Sequence, residues 1–303
     1  MSLNRFEEAR AVADESIAKK TDTIHVHVNL FALGFLKRDQ AAMERQLAWA
    51  KGTEHEPFML ANKAGSESSL GKVQLAQTTF RDAEASAQRN GMKEFAAILK
   101  ANDARRRAAY GDCTGARAKA AESLADFPDG DNRRIAALAL AQCGDAGDTA
   151  AAKKLMEQEA KRLPLDSVVH GIYMPLVDAL GALQRKDTAA AASALEPARR
   201  FELAALPPNA PYWILYVRGR GYLQSKQPDK AAAEFQKILN FRGRQPESEL
   251  IPLAQLQLAR AYVAQNDSAK ARTAYQDFLA MWKDADPDIF ILKEAKTEYA
   301  KLQ

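Results

Sequence analysis

One helix opening recurs along this chain, and that recurrence limits what the chain can fold into. In "QPDKAAAEFQKILNF" Ala231 is followed by Phe235 and Ile238; forty residues on, in "NDSAKARTAYQDFLAMW", Ala271 is followed by Tyr275 and Phe278. The same anchor, a small or apolar residue after a polar turn, is read at Met43, Ala76, Ala116, Ala152 and Ala191. The seven anchors are separated by 33, 40, 36, 39, 40 and 40 residues. The segment before each anchor repeats as well. Tyr222 and Tyr262 each lie nine residues ahead of one, and Gly219 and Ala259 lie three residues before those tyrosines. A fixed period of this length marks a repeat architecture, in which each unit covers the apolar face of the next.

The local reading is helix. Ala, Leu, Gln, Lys, Arg and Glu dominate, and apolar residues recur at three- and four-residue spacing, as Leu258, Ala261 and Tyr262 do in "AQLQLARAYVA". No stretch joins sustained alternation to β-branched residues, so no sheet is expected. The joins "KRD", "AGD", "QND" and "FPDGDN" have the chemistry of tight helix–helix turns, and "LPPNAPYW" at Leu206–Trp213 reads as a longer surface loop. The expectation is therefore an all-α solenoid filling 1–303. Its units fall at roughly 23–55, 57–90, 97–130, 133–165, 172–205, 212–245 and 252–285, with a capping helix at 288–302 started by Asp288.

The Gly/Ala, Tyr, Ala, Phe/Tyr and Pro positions resemble the tetratricopeptide repeat, a helix–turn–helix unit with a usual period of 34 residues. Most units here are longer, and Glu67, Arg107 and Ala182 stand where a first-helix tyrosine is expected, so those repeats are degenerate. The resemblance implies a right-handed α-α superhelix of about seven hairpins. A narrower resemblance covers most of the chain. "RLPLDSVVHGIYMPLVDAL", "AEFQKIL" and "FRGRQPESELIPLAQLQLARAYVAQNDSAKARTAYQDFLAMWKDADPDIFILKEAKTEYAKL" are similar to the C-terminal region of bacterial tetratricopeptide proteins. Many of those carry a serine/threonine kinase or winged-helix DNA-binding domain ahead of the repeats. The opening "MSLNRFEEARAVADESIAKK" is polar, unlike a secretory signal. Phe6, Ala9, Ala13 and Ile17 already share a helical face, so a piece of a longer protein is one reading.

The chemistry of a kinase is absent. There is no phosphate-binding glycine loop, no catalytic-loop aspartate in its usual setting and no metal-binding DFG, and "GRG" at Gly219–Gly221 lies within an expected helix. The four histidines, His25, His27, His55 and His170, lack metal-ligand spacing, and no cofactor is implied. The two cysteines, Cys113 and Cys143, read as small buried packing residues that fit a reducing compartment or indifference to redox. A sequence with neither a secretory signal nor a run of about 18 apolar residues leads to a cytoplasmic expectation. Net charge is only +4. The run "ARRR" at Ala104–Arg107 and the pairs Arg133–Arg134 and Arg199–Arg200 therefore read as solvated helix faces, not a nucleic-acid footprint. Asn266-Asp267-Ser268 reads as a turn, although it matches a glycosylation acceptor.

What remains is the concave face. The resemblance implies that first helices line it, and the family's groove positions fall on Trp213, Tyr216, Arg220, Leu256 and Arg260. For the aromatics, packing between repeats is the competing reading. His25 on an inner face is open between ligand contact and an ordinary polar position. Asn29 and Asn62 fall on first helices, without the Lys/Asn/Lys/Arg set by which the family grips a peptide C-terminus. The functional expectation is a non-enzymatic scaffold for a protein or peptide. The alternatives are a regulatory or sensor module of a larger bacterial serine/threonine kinase and, less favoured, a helical-repeat nucleic-acid binder.

Overall fold

The computed structural model describes residues 1–204 and 210–303. Residues 205–209, most of the proline-rich loop expected at Leu206–Trp213, lie outside the described residues. Among those described there is no strand.

An opening helix, α1 (Phe6–Ala18), precedes seven helix pairs. In the N-terminal half these are α2 (Ile24–Lys37) with α3 (Gln40–Ala50), α4 (Glu56–Ser69) with α5 (Val73–Arg89), and α6 (Lys93–Ala109) with α7 (Cys113–Asp126). Then come α8 (Gly130–Cys143) with α9 (Ala146–Arg162), and α10 (Met174–Gln184) with α11 (Thr188–Leu195). The last pairs are α12 (Ala210–Gln224) with α13 (Pro228–Asn240) and α14 (Leu250–Ala264) with α15 (Ser268–Met281), followed by α16 (Phe290–Ala300). Each first helix packs on its own second helix, and the first helices also touch in succession from α6 through α8, α10, α12 and α14. The result is a two-layered helical-repeat solenoid.

The turn inside each pair is built the same way seven times. One residue takes a left-handed conformation, at Arg38, Gly71, Gly111, Gly144, Lys186, Lys226 and Asn266, and the second helix starts immediately after its successor. That left-handed residue ends the first helix and reverses the chain. In five pairs the successor is aspartate: Asp39, Asp112, Asp145, Asp187 and Asp267 each accept a hydrogen bond from a first-turn amide of the second helix. Such a cap contributes about 1 kcal/mol. Asn266-Asp267-Ser268 is thus a turn and a cap.

Packing repeats with the same period. Gly219 lies against the Phe235 ring, where an added Cβ would stand 2.6 Å from the nearest ring carbon. Only glycine allows α12 and α13 to approach this closely. Lys230 sits over the Tyr222 ring and Lys270 over the Tyr262 ring, each at 5.6 Å, forty residues apart. The largest apolar cluster runs continuously from Tyr110 to Ala295, whereas the N-terminal pairs are joined by smaller clusters.

Two expectations are corrected. Asp288 does not cap the last helix: Ile289 occupies the cap position without a side-chain bond, and Asp288 instead contacts Lys293 at 3.4 Å. Cys113 and Cys143 are not buried packing residues. They are joined in a disulfide, with Cα atoms 5.5 Å apart, tying the start of α7 to the end of α8. Cysteine usage therefore gives no argument for a reducing compartment. The bond closes a loop of sequence separation 30, and cross-links of this size stabilise by about 2–4 kcal/mol. Reduction, or Cys113→Ser with Cys143→Ser, is expected to lower the melting temperature. Thiol titration of the folded, unreduced protein should find no free cysteine; two reactive thiols would refute the bond.

Candidate functional site

The solenoid closes on itself, and its inner face is defined by that closure. Beyond α13 the chain runs as a non-helical stretch through a short 3₁₀ turn (Arg242–Arg244) to α14, passing against the inner side of α4 and α6. There Glu249, fully buried, meets two consecutive arginines of α6. Arg105 pairs with it directly, and Arg106 approaches its other oxygen at 3.0 Å. Arg106 also donates to the Glu247 carbonyl at 3.2 Å, and Arg105 to Asn102 at 3.2 Å. Further along the seam the Trp282 indole donates to the Ser69 carbonyl at 3.0 Å, the Tyr110 hydroxyl donates to the Ser68 carbonyl at 2.8 Å, and the Asp286 amide donates to the Gly71 carbonyl at 2.9 Å. At Gly71 an added Cβ would stand 2.5 Å from Ala285. Its left-handed backbone and this close approach both call for glycine.

The arginines of "ARRR" are thus not a solvated face. Arg105 is 1% exposed and Arg106 is buried, while Arg107 pairs with Asp103 and Asp112, each at 2.9 Å. Arg133 pairs with the fully buried Glu159 at 3.0 Å and Arg134 with Asp131 at 2.6 Å, so neither offers its charge freely to phosphate. Arg199 and Arg200 are exposed. No basic stripe for a nucleic acid is formed by these groups.

The residues assigned to a concave groove are dispersed. Trp213 and Leu256 are each 1% exposed, and Tyr216 is buried as well. Trp213 packs edge-on against Tyr216 at 5.7 Å, and Tyr216 against Phe235 of the partner helix α13 at 5.9 Å, so these side chains belong to the apolar core and present almost no surface to a partner. Arg220 is half-buried, 6.0 Å over the Tyr216 ring. Arg260 is held by Glu298 at 2.9 Å and Glu294 at 3.4 Å on α16, and Glu298 also accepts from the Tyr275 hydroxyl. His25 and Asn29 are exposed on α2.

Asn29 does line a cavity of about 330 Å³, together with Asn62, Asn102, Arg106 and the stretch from Gly243 to Ser248. A second cavity, of about 450 Å³, opens on the other side of α4, between the first pairs and the start of α14. His27, two residues from His25, is buried. It stacks on Trp49 at 3.4 Å and hydrogen-bonds Asp22 at 2.9 Å and Gln46 at 2.8 Å, a packing arrangement. Among the described residues no group of three or more His, Cys, Asp and Glu side chains is arranged to hold a metal ion.

The carboxyl of Glu247, on the stretch from Gly243 to Ser248, is perturbed by its surroundings. One of its carboxylate oxygens is buried and accepts no hydrogen bond from the protein. Burial pushes the carboxyl up to about 7, and the nearby Arg106 only partly offsets this.

Over 98% of both chains, this structure is similar to a tetratricopeptide repeat protein from Parabacteroides merdae, at 13% identity and a TM-score of 0.48. Over the same shares it is similar to the TPR2AB domain of yeast Sti1 in its complex with pHSP90, at 14% identity and a TM-score of 0.34. No protein-family model matches the chain, and no curated protein matches it.

Removing Glu249 leaves two buried guanidinium groups without their carboxylate, a change that costs about 3–5 kcal/mol. Glu249→Ala should therefore open the seam, seen as an increased radius of gyration in small-angle scattering. The Glu247 carboxyl is raised in the folded state, so its contribution favours folding below the ordinary carboxylate range and is lost as pH rises through about 7. Glu247→Gln is expected to flatten the decline in stability across that window, measured by urea denaturation at stepped pH.

Proposed function

We propose that this chain is a non-enzymatic scaffold that binds a protein or peptide segment along the concave face of its repeats. The observation that carries this reading is the seating of Gly243–Ser248. The inner walls of α4 and α6 already hold a non-helical stretch of polypeptide there, partly by an arginine donating to a backbone carbonyl, with open space beside it. A surface that accepts main-chain carbonyls this way suits a partner's segment equally well, because the contact does not depend on the side chain carried. Asn29, exposed, and Asn62, half-buried, stand beside that space. Trp213, Tyr216 and Leu256 have no part in the proposed contact, since they are sealed between helices.

A narrower reading has the chain serving as the regulatory or sensor part of a larger bacterial serine/threonine kinase. It rests on sequence resemblance alone, and the size of the native protein on an immunoblot tests it: a band near 33.3 kDa counts against it.

The scaffold reading is tested by selecting a displayed library of random dodecapeptides on the immobilised protein and titrating the enriched peptides in solution. Saturable binding with a roughly micromolar dissociation constant is expected, weakened about tenfold by Asn29→Ala with Asn62→Ala. A library that shows no enrichment over a blank surface would overturn the reading.

A further inference from the structure

The cavity of about 450 Å³ on the other side of α4 is formed by the two ends of the solenoid facing each other. Its walls come from the end of α2, from α3, α4 and the start of α5 on one side, and from the start of α14 and the end of α15 on the other. The floor is apolar: Phe35, Met43, Leu47, Leu70, Ile251 and Met281 are all half-buried, each lining this space. At the mouth Leu75 is 47% exposed, an apolar side chain left in water beside the opening.

The charge around the opening is predominantly positive. Five cationic side chains line it, Arg38, Lys63, Lys72, Arg242 and Lys283, against two carboxylates, Glu67 and Asp284. Both carboxylates are engaged by lysines: Glu67 by Lys63 at 3.4 Å and Asp284 by Lys283 at 3.8 Å. Arg38, Lys72 and Arg242 have no carboxylate within ion-pairing distance among the described residues. An apolar hollow of this size with a few polar groups at its edge has the make-up of a ligand site, and unpaired cations on the rim select the charge of what enters.

We infer that this seam cleft is the seat of a short apolar and acidic segment of a partner protein. Two or three apolar side chains would enter the hollow, while flanking Asp or Glu side chains would meet Arg38, Lys72 and Arg242. Cations above an apolar floor disfavour a basic segment by repulsion and a neutral one by lack of steering, which is why an acidic–apolar sequence is the occupant. A second copy of the chain is disfavoured for its cleft face, since two such faces would oppose like charges. The inference rests on the scaffold reading and adds a second, chemically distinct point of contact to the concave face.

The probe is a fluorescein-labelled decapeptide with Leu-Leu-Phe at its centre and Asp and Glu on both sides, followed by fluorescence anisotropy. Two control peptides replace the acids by Lys or the apolar residues by Ser. The acidic probe should bind, with affinity falling as salt is raised, and both controls should bind at least about tenfold more weakly. Arg38→Glu with Lys72→Glu should cost the acidic probe about tenfold or more. Leu75→Glu, a change at an exposed position with little bearing on folding, should weaken it too, with the circular dichroism of both variants unchanged.

Equal binding of the Lys control, or full affinity in both variants, would overturn the assignment. If dodecapeptides from the library bind while the acidic probe does not, the scaffold reading stands and the cleft assignment falls; if neither binds, both fall. A shift in oligomeric state of the double variant, seen by analytical ultracentrifugation, would make the occupant a second copy and would also overturn it.

Discussion

A pair of helices cannot cover its own apolar faces, and every other feature of this molecule follows from that shortfall. Each pair depends on its neighbour to bury what it leaves open, so the apolar cluster runs without a break from Tyr110 to Ala295. The neighbour must arrive at a fixed distance and angle. That requirement explains why the turn within each pair is the same device seven times over, a left-handed residue followed directly by the residue that starts the second helix. Where the left-handed residue is lysine, arginine or asparagine, some strain is accepted in exchange for the geometry.

Stacking alone would leave the two ends exposed. The C-terminal end is covered by α16, whose Glu298 takes the Arg260 guanidinium and the Tyr275 hydroxyl together. The N-terminal half is covered in a different manner, by the return of the C-terminal repeats. Glu249, placed between Arg105 and Arg106, is the carboxylate that forms ion pairs with both of these buried guanidinium groups. A group of this kind adds little net stability compared with apolar packing, because desolvation offsets most of the attraction. It does penalise any arrangement in which the ends are apart or out of register, since an arginine would then be buried alone. The functional consequence is that the inner face is partly filled by the chain itself, and the cavity beside Asn29 and Asn62 and the cleft at the seam remain open next to the inserted stretch.

Much of the architecture was legible in the residues. The anchors at Ala231 and Ala271 are both fully buried, Gly219 makes the close approach its position implied, and Asn266-Asp267 forms the turn. The candidate site was less legible. Trp213, Tyr216 and Leu256 are groove candidates only through the resemblance, which transfers a position along a helix and not its exposure, and a large apolar side chain at such a position can as well pack in the core as face a ligand. The burial of Arg105 and Arg106 is equally invisible in the residues: their carboxylate partner, Glu249, is 144 residues from Arg105. No local pattern links them. The disulfide is not legible in the residues, because two cysteines thirty residues apart carry no pairing signal of their own.

The sequence by itself determined the repeat: the helical period, the polar turns and the small residues at close contacts are local properties, each set within about one hairpin. Only the tertiary structure decided that the ends meet, that Arg105 and Arg106 surround Glu249, and that an apolar cleft with a cationic rim lies at the seam. These are relations between residues far apart in the chain, fixed by the accumulated rotation of seven stacked pairs. A small change in the angle between neighbours, invisible in any one repeat, would have left the solenoid open and the cleft unformed.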